Sequence, residues 1–313
     1  MKQPDRTTLL DVTLRDGGYV NQHSWTIEQA VRVVRTCASA RIPFTEVGYL
    51  RPRRHRVDGA EAPAASCPPH YLDGLQEVAG STGVTVMAHV KDTEPKDLAR
   101  LADHGVRLVR VPTRPDRVER LAPYVAAAHE AGLEFAVNVI RVSELEDETV
   151  LAAAAAAAAL DADIFYLADS NGSLFPEDVA RLAAKVQHES GLTLGFHPHD
   201  GISMGFSNAL AAMREGFTYV DASLAGMGKG GGNLALELVA SYLRAHRGQD
   251  LVVSPLVETS ADLLAPWKGA DLRAQFESVA SGLLDLNLDA LEEITRESPE
   301  GLLALIDGTT STR

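Results

Sequence analysis

Two histidines separated by one proline stand near the end of an apolar run, in the segment FHPHD at residues 196–200. If this run is a β-strand, residues two apart point to the same side, so His197 and His199 direct both imidazoles at one point. Two neutral imidazoles and one carboxylate form a ligand set for a divalent metal, with further positions open to substrate and water. The pair therefore predicts a metal site, although two unrelated histidines at a strand end would give the same local pattern.

The best candidate for the carboxylate ligand is Asp16, in the segment LLDVTLRDGGYV at residues 9–20. A short apolar run ends there in Arg15 and Asp16, and Gly17 and Gly18 follow. Glycines allow the backbone to turn sharply at this point. We therefore expect Asp16 to close the first strand and to complete the metal site.

The elements that must position these residues follow a regular rhythm, because β-rich runs alternate with helical stretches at intervals of about 30 residues. Eight predicted strands cover residues 8–14, 44–49, 84–90, 106–112, 133–140, 163–169, 192–199 and 218–224. The helices between and after them are predicted to begin near Thr26, Pro69, Pro95, Pro115, Ser143, Pro176, Ser203 and Asn233. Eight uninterrupted repeats favour an α/β fold, a (β/α)8 TIM barrel, over an open sheet with a second domain.

The remainder of the chain has helical periodicity and no strand signal. We therefore expect a TIM-barrel catalytic domain at residues 1–250 and a C-terminal helical extension, packed on the barrel, at residues 251–313. The loop at residues 51–69 is long for a connection between a strand and a helix. Its basic RPRRHR cluster could receive an anionic substrate or form a solvated surface.

Barrel geometry predicts which other side chains meet the metal site, because active sites of such barrels lie at the carboxyl ends of the strands. The polar residues at or after these ends are Arg15, Asp16, Glu46, His89, Arg110, Asn138, Asp169, Ser170, His197, His199, Asp221 and Ser223. Taken singly, Glu46 or Arg110 could belong to a salt bridge at the barrel mouth, and His89 could be a hydrogen-bonded structural residue.

Composition excludes several classes of function. The formal charge of −14, from 29 basic and 43 acidic residues, opposes contact with nucleic acid or an anionic membrane. The 2 cysteines are too few for a disulfide framework, which indicates a reducing compartment. The first residues lack the pattern of a signal peptide, and no stretch is apolar enough to span a membrane. We therefore expect a soluble cytoplasmic protein that acts on small molecules.

Four segments together carry a resemblance to a known family: DVTLRDGG at 11–18, LADSNGSLFPEDV at 167–179, FHPHDGISMGFSNALAAMREGFTYVDAS at 196–223 and GMGKGGGNLALE at 226–237. They resemble the metal-dependent pyruvate aldolase branch of the DRE-TIM metallolyase superfamily, which is HMGL-like. Within it, the 4-hydroxy-2-oxovalerate aldolases are the most similar. The segments keep the same order over roughly residues 8–245, so the combination is more specific than any part.

The resemblance implies metal ligands at Asp16, His197 and His199, a transition-state arginine at Arg15 and a supporting asparagine at Asn233. It places Asp169 near the site as a polar organiser. The implied cofactor is a divalent ion, Mn²⁺ or Mg²⁺, with Zn²⁺ or Co²⁺ as alternatives. A 2-oxo acid can chelate such an ion, which polarises the keto group. Cleavage then leaves a metal-bound enolate, whose charge Arg15 can stabilise without losing its proton.

The general base is less clear from the sequence. The oxovalerate aldolases carry histidine where this chain has Tyr19, and the CoA-lyase and synthase branches carry glutamine. Tyr19 could relay a proton or orient water, His23 or His89 could be the base, and Tyr19 could equally be structural. The tail lacks an evident match to a tyrosine-bearing segment of the aldolases, and Phe276 lies in the nearest stretch.

The glycine-rich segment GMGKGGGN also satisfies the dinucleotide pattern G-x-G-x-x-G at Gly226, Gly228 and Gly231. It lies in the eighth unit, however, and Asp250 precedes an apolar run instead of ending one. We expect instead a loop at the mouth of the substrate site. The predicted substrate-binding residues are Arg15, Glu46, Asn138, Asp169, Ser170, Gly228 and Asn233.

Three functions fit the sequence. The first is a metal-dependent aldolase that forms or cleaves 4-hydroxy-2-oxo acids, with pyruvate or a related 2-oxo acid and an aldehyde as partners. The second is a Claisen-type transferase or lyase for acyl-CoA, although the loop lacks the cysteine and the Gly-Glu-Arg element of those branches. The third is an inactive barrel that serves as a channelling or regulatory subunit. A homodimer is expected, and an aldehyde-processing partner enzyme is compatible with the first function.

Overall fold

Eight parallel strands close into a barrel in the computed structural model, which describes residues 6–52, 62–267, 281–282 and 284–297. Each strand pairs with the next along the chain, and β8 pairs with β1. The strands are β1 Thr8–Asp11, β2 Phe44–Leu50, β3 Gly83–Ala88, β4 Val106–Thr113, β5 Glu134–Val139, β6 Ile164–Asp169, β7 Thr193–Pro198 and β8 Tyr219–Ala222. The predicted (β/α)8 TIM barrel is therefore confirmed.

The helices that the structure describes surround the barrel or follow it. They are α1 Ile27–Ala40, α2 Pro69–Ala79, α3 Ala122–Glu130, α4 Asp147–Ala159, α5 Pro176–Ser190, α6 Gly205–Arg214, α7 Leu236–Arg247, α8 Ser254–Thr259 and α9 Leu288–Glu297. The first helix begins next to Thr26, as predicted, and Thr26 caps it, since its side chain accepts a hydrogen bond from the backbone of Gln29. No helix among the described residues has the length and apolar character that a membrane span requires.

Three units differ from the predicted pattern. The third unit has short 3₁₀ turns at Pro95–Leu98 and Ala102–His104 in place of an α-helix. In the fourth unit a 3₁₀ segment covers Pro115–Leu121, so α3 begins at Ala122 and not near Pro115. In the fifth unit the turn Val142–Glu144 comes first, so α4 begins at Asp147 and not near Ser143. Its alanine run buries one small-residue face and so lets the helix lie close to the strands.

The inside of the barrel changes character along its length, because residues two apart on a strand both face inward. Towards the amino ends of the strands the interior is apolar, and it contains Leu10, Val12, Phe44, Leu108, Ala136, Ile164 and Tyr166. One step further along, the inward positions are polar and buried: Glu46 on β2, Arg110 on β4, Asn138 on β5, His197 on β7 and Asp221 on β8. The apolar layer is therefore the floor of a polar site at the carboxyl ends.

The first strand is shorter than predicted, because β1 ends at Asp11 and not at residue 14. The Asp11 carboxylate accepts hydrogen bonds from the Thr13 backbone and side chain and from Thr45 Oγ1. These contacts turn the chain out of the sheet. The expectation that Asp16 closes the first strand was therefore wrong, and Asp16 lies in the turn that follows β1.

The two glycines after Asp16 are needed for space and not for an unusual backbone angle. They form a 3₁₀ turn with Tyr19 and do not have positive φ angles. A Cβ atom on Gly18 would lie 2.2 Å from Nδ1 of His23, and one on Gly17 would lie 3.2 Å from Cβ of Met227. The sharp turn predicted for this pair is thus a close approach of neighbouring residues.

The chain after the eighth unit is helical where it is described. Thr259 of α8 contacts Thr36 of α1, with 2.7 Å between the two Oγ1 atoms, and the rings of Trp25 and Trp267 pack edge to face. A domain boundary at residue 250 and a packed extension at 251–313 stay predictions. Residues 53–61 of the basic loop and residues 268–280, with Phe276, lie outside the described part.

Gly195 of β7 provides a test of the barrel interior. A Cβ atom there would lie 2.5 Å from the ring of the buried Tyr166, so Gly195→Ala must displace that ring. We expect a loss of about 1–3 kcal/mol in the free energy of unfolding, measured by urea denaturation. Gly74→Ala on α2 is the matched control, since nothing lies within 4 Å of the added atom. That variant should gain up to about 1 kcal/mol, and equal midpoints for the two variants would contradict the packing.

Candidate active site

Three buried side chains meet at the carboxyl end of the barrel: Asp16 from the turn after β1, His197 from β7 and His199 just beyond it. The Nε2 atoms of the two histidines are 3.2 Å apart. Asp16 Oδ1 lies 4.0 Å from His197 Nε2, and Asp16 Oδ2 lies 3.9 Å from His199 Nε2. The two histidines are therefore not unrelated residues at a strand end, because both rings meet beside the same carboxylate.

These three groups fit a divalent metal ion. Bonds of about 2.0–2.2 Å from one ion to nitrogen and oxygen ligands place the ligand atoms about 3–4 Å apart, as observed here. Burial lowers the pKa of His199 to about 4, so this imidazole is neutral at pH 7 and its lone pair can bind a cation. The donor set and its spacing agree with the ligands that the sequence predicts.

Asp16 is kept ionised by its neighbours. Arg15 Nη1 donates to Asp16 Oδ1 at 2.5 Å, and Asn233 Nδ2 donates to Asp16 Oδ2 at 2.9 Å. Burial acts to raise the pKa of Asp16, but Arg15, the two histidines and Asn233 together hold it well below its usual range. The carboxylate is therefore ready to bind a cation over the physiological pH range.

Asn233 is itself fixed by the glycine-rich loop. Its side chain also donates to the Met227 backbone oxygen at 2.9 Å, and its backbone pairs with that of His199. A Cβ atom on Gly228 would lie 2.4 Å from Asn233 Nδ2. Glycine at position 228 is therefore required for Asn233 to reach Asp16.

A row of buried charges supports the ligands from below. Asp221 Oδ2 lies 2.8 Å from Nδ1 of His197, which leaves Nε2 of that ring facing Asp16 and His199. Arg110 Nη2 donates to the same Asp221 oxygen at 2.6 Å. Burial acts to raise the pKa of Asp221, but Arg110 and His197 lower it overall.

Glu46 joins this row to Arg15. Arg15 Nε donates to Glu46 Oε2 at 2.5 Å, and Arg110 Nη1 lies 3.4 Å from the same oxygen. Although burial acts to lower it, Glu46 and Asp16 raise the pKa of Arg15 above its ordinary value. Arg15 is thus a permanent cation beside Asp16, His197 and His199.

A cavity of about 160 Å³ opens above the ligands. Its lining contains Arg15, Asp16, Tyr19, Tyr49, Met87, His89, Pro112, Asn138, Ile140, Arg141, Ala168, Ser170, His197, His199 and Lys229. Eight residues predicted from the sequence are in this set: Arg15, Asp16, Tyr19, His89, Asn138, Ser170, His197 and His199.

The other predicted site residues that the structure describes lie behind the cavity wall. Glu46 is below Arg15, and Gly228 and Asn233 support Asp16. The Asp169 carboxylate accepts hydrogen bonds from the backbone of Ser173 and Leu174, so it holds the turn after β6. Burial raises the pKa of Asp169 to about 6.

The three candidates for the general base are not equivalent. His23 packs behind Tyr19, with 5.2 Å between ring centroids. It is not among the described residues that line the cavity. His89 lines the cavity and lies against Tyr49, whose ring centroid is 5.4 Å away. Burial lowers the pKa of His23 and of His89 to about 4, so both rings are neutral at pH 7.

Seven lining residues are not among those predicted from the sequence, and three of them carry polar or charged side chains: Tyr49, Arg141 and Lys229. Tyr49 is the last residue but one of β2, and its hydroxyl lies 3.0 Å from that of Tyr19. Arg141 follows β5 with a positive φ of 59°, and Lys229 stands within the glycine-rich loop. A polar residue at a strand end was the available signal for Tyr49, and a charge among glycines was the signal for Lys229.

The dinucleotide alternative gains no support from the position of Asp250. This residue forms an ion pair with Arg41 and lines a cavity of about 730 Å³ beside Phe44, at the amino ends of the strands. The glycine-rich loop lies at the opposite end of the barrel, next to Asp16. The larger cavity is therefore separate from the metal-ligand cluster.

Comparison with known proteins identifies similar sequences. The profile of the HMGL-like family matches residues 6–265. A 4-hydroxy-2-oxovalerate aldolase of Geobacillus thermodenitrificans is 28% identical over 244 residues, which cover 75% of this chain and 68% of the relative. An oxaloacetate decarboxylase of Mycobacterium tuberculosis is 28% identical over 242 residues, covering 75% of this chain and 69% of the relative.

Solved structures share the fold. The N-terminal domain of a candidate aldolase from Bacteroides vulgatus superposes with a TM-score of 0.81 at 24% identity, covering 95% of this chain and 99% of that one. The carboxyl transferase domain of Rhizobium etli pyruvate carboxylase gives a TM-score of 0.71 at 17% identity, covering 91% of this chain and 49% of that one. Because the family profile spans most of the barrel and includes all three clustered ligands, the chain belongs to the HMGL-like family.

Proposed function

We propose that this protein is a divalent-metal-dependent aldolase that forms or cleaves 4-hydroxy-2-oxo acids, with pyruvate or a related 2-oxo acid and an aldehyde as the two halves. The observation that carries the proposal is the convergence of Asp16, His197 and His199 beside the buried guanidinium of Arg15. Membership in the HMGL-like family makes the chain a carbon–carbon lyase, and two similar relatives are named as an aldolase and a decarboxylase.

Asp16, His197 and His199 would hold the ion, Mn²⁺ or Mg²⁺ in our proposal, with Zn²⁺ or Co²⁺ as alternatives. When bound, this ion supplies a Lewis acid for the keto oxygen of the 2-oxo acid. Asp221 fixes the ring of His197, and Asn233 fixes the carboxylate of Asp16. Both contacts hold the ligands in place before substrate arrives.

Arg15 would stabilise the negative charge that develops on the substrate when the carbon–carbon bond breaks. Its Nε and Nη1 groups are held by Glu46 and Asp16, so the guanidinium cannot rotate freely. The third nitrogen, Nη2, is buried and has no hydrogen-bond partner among the described residues. A donor fixed in this way costs no reorganisation during the reaction.

The 4-hydroxyl must lose a proton in the cleavage direction and regain it in condensation. Both His23 and His89 are neutral at pH 7, and His89 is the stronger candidate for this role because it lines the cavity. Tyr19 and Tyr49 form a hydroxyl pair at the same wall, which can pass a proton outward. Burial raises the pKa of Tyr49 well above its usual range, so Tyr49 stays protonated and can donate.

The two alternatives receive less support. An inactive subunit does not need a buried Arg15 with a free donor beside three clustered ligands. The acyl-CoA alternative requires a loop cysteine or a Gly-Glu-Arg element, and this chain has neither. No contact among the described residues compensates for their absence. A homodimer, an aldehyde-processing partner enzyme and a cytoplasmic location stay predictions from the sequence.

The direct test combines metal analysis with substrate cleavage. Protein stripped of metal and then given Mn²⁺ or Mg²⁺ should release pyruvate from 4-hydroxy-2-oxovalerate, followed with lactate dehydrogenase and NADH. Release of coenzyme A from acetyl-CoA and a 2-oxo acid would select the Claisen alternative. No pyruvate from any 4-hydroxy-2-oxo acid, with either metal, would refute the aldolase.

His197→Ala should lose metal directly, because it removes one of three ligands. We expect less than about one tenth of the wild-type Mn²⁺ content after equilibrium dialysis, measured by inductively coupled plasma mass spectrometry. His104→Ala is the matched control, since His104 pairs with Asp73 in the third unit, away from the cluster. Unchanged Mn²⁺ in the His197 variant would show that the ligand set is wrong.

Arg15→Lys should keep the metal and lose turnover. A compact ammonium cannot replace a planar fork that contacts Glu46, Asp16 and the substrate together, so we expect kcat to fall by a factor of about 100 or more. Mn²⁺ content and the thermal unfolding midpoint, measured on the same sample, separate a catalytic loss from misfolding. Wild-type kcat in this variant would refute the role of Arg15.

A further inference from the structure

Lys229 is a cation in the wall of the substrate cavity. It stands in the glycine-rich loop between Gly228 and Gly230, and its half-buried side chain lines the cavity with Arg15 and the metal ligands. Its ammonium forms no ion pair or hydrogen bond with any residue in the described part of the chain. Burial lowers the pKa of Lys229, which reflects the cost of keeping this charge partly out of water.

The loop holds Lys229 at a fixed place relative to the metal ligands. The Lys229 backbone oxygen accepts a hydrogen bond from Gly232 at 3.1 Å. Asn233, which follows Gly232, donates its side-chain amide to Asp16. A lysine that only extends into solvent would not need an anchored backbone next to a ligand carboxylate.

Arg141 supplies a second positive charge to the same cavity. Its backbone amide donates to Ser170 Oγ at 3.0 Å, which fixes the loop after β5. Its Nη2 donates to Asp289 of α9 at 3.0 Å, and that carboxylate is 82% exposed. A guanidinium has five N–H donors, so one contact with an exposed partner leaves others for a ligand.

The buried charged groups deeper in the site reach neutrality with a bound ion and substrate, without a contribution from Lys229. The carboxylates of Asp16, Glu46 and Asp221 face the guanidiniums of Arg15 and Arg110. This buried group has one net negative charge, which a divalent ion and the carboxylate of a 2-oxo acid bring to zero. Nothing in this inner group therefore requires the extra charge of Lys229 at the cavity wall.

We propose that Lys229, assisted by Arg141, binds a second acidic group at the far end of the substrate, so that the aldehyde half carries a carboxylate or a phosphate. The inference rests on the proposed aldolase function and specifies its substrate class. Both cations line the same cavity, of about 160 Å³, as Arg15 and the proposed metal ligands.

The first test measures binding without turnover. Calorimetric titration with Mn²⁺ present compares 2-oxoglutarate with 2-oxopentanoate, which has a methyl group in place of the distal carboxylate. Wild-type protein should prefer the diacid by about tenfold or more, as expected for a hydrogen bond to a charged group. Lys229→Met should reduce this preference to less than about threefold, whereas Lys229→Arg should keep most of it.

Lys96→Met is the control for loss of a lysine, because Lys96 is exposed and pairs with the nearby Glu94. This variant should keep the wild-type preference. Equal affinities of wild-type protein for the two acids, or an unchanged preference in Lys229→Met, would overturn the inference. If neither acid binds in the presence of Mn²⁺ although pyruvate does, the inference is overturned. If pyruvate does not bind either, the proposed aldolase function fails instead, so the two failures are distinguishable.

The second test measures specificity in cleavage. 4-Hydroxy-2-oxohexanedioate and 4-hydroxy-2-oxohexanoate differ only in the terminal carboxylate, and an analogue with a terminal phosphate separates the two acidic groups. The ratio of kcat/KM for the preferred acidic substrate to that for the neutral one should fall about tenfold in Lys229→Met, chiefly through KM. A general base at position 229 would instead make Lys229→Arg lose kcat on all three substrates, and that result would overturn the inference.

Discussion

The site depends on one buried row of charges, and each contact in it joins a strand to another strand or to the turn after β1. Arg15 contacts Glu46 at 2.5 Å, and Glu46 lies 3.4 Å from Arg110. Arg110 contacts Asp221 at 2.6 Å, and Asp221 lies 2.8 Å from His197. All five side chains are buried, so removal of one member would leave an uncompensated charge, which typically costs about 3–5 kcal/mol. Asp16, His197 and His199, the proposed metal ligands, meet because the closed barrel holds this row together.

The row also explains why the barrel interior has two layers. Arg110 lies over the ring of Tyr166, with 4.1 Å from its guanidinium carbon to the ring centroid. Below Tyr166 the interior is apolar, and above it almost every inward side chain is charged or can hydrogen-bond. Gly195 leaves room for the Tyr166 ring to lie across the barrel. The apolar floor excludes water from beneath the charges and so strengthens their interactions.

The sequence predicts much of this arrangement, because period-two spacing on a strand is a local property. The spacing of His197 and His199 is therefore enough to direct both rings to one point. The position of Asp16 was predicted for the wrong reason, since Asp11 ends the strand early and only the turn brings Asp16 back. Arg141 was missed because its direction depends on a positive φ and on contact with Ser170 across a loop.

Two kinds of structural element line the cavity: strand ends with the first turn, and loops. Its inner part comes from strand ends and the first turn, where Arg15 and the ligands are fixed by buried partners. Its outer part comes from loops. There Arg141 pairs with an exposed carboxylate, and the Lys229 ammonium has no ion pair or hydrogen bond in the described part of the chain. One similar relative is named as an aldolase and another as a decarboxylase, and these two names describe the release of different groups. In the proposed function the inner part holds the 2-oxo acid. The outer loops carry side chains that do not support the barrel, so these side chains can differ between relatives without loss of the fold.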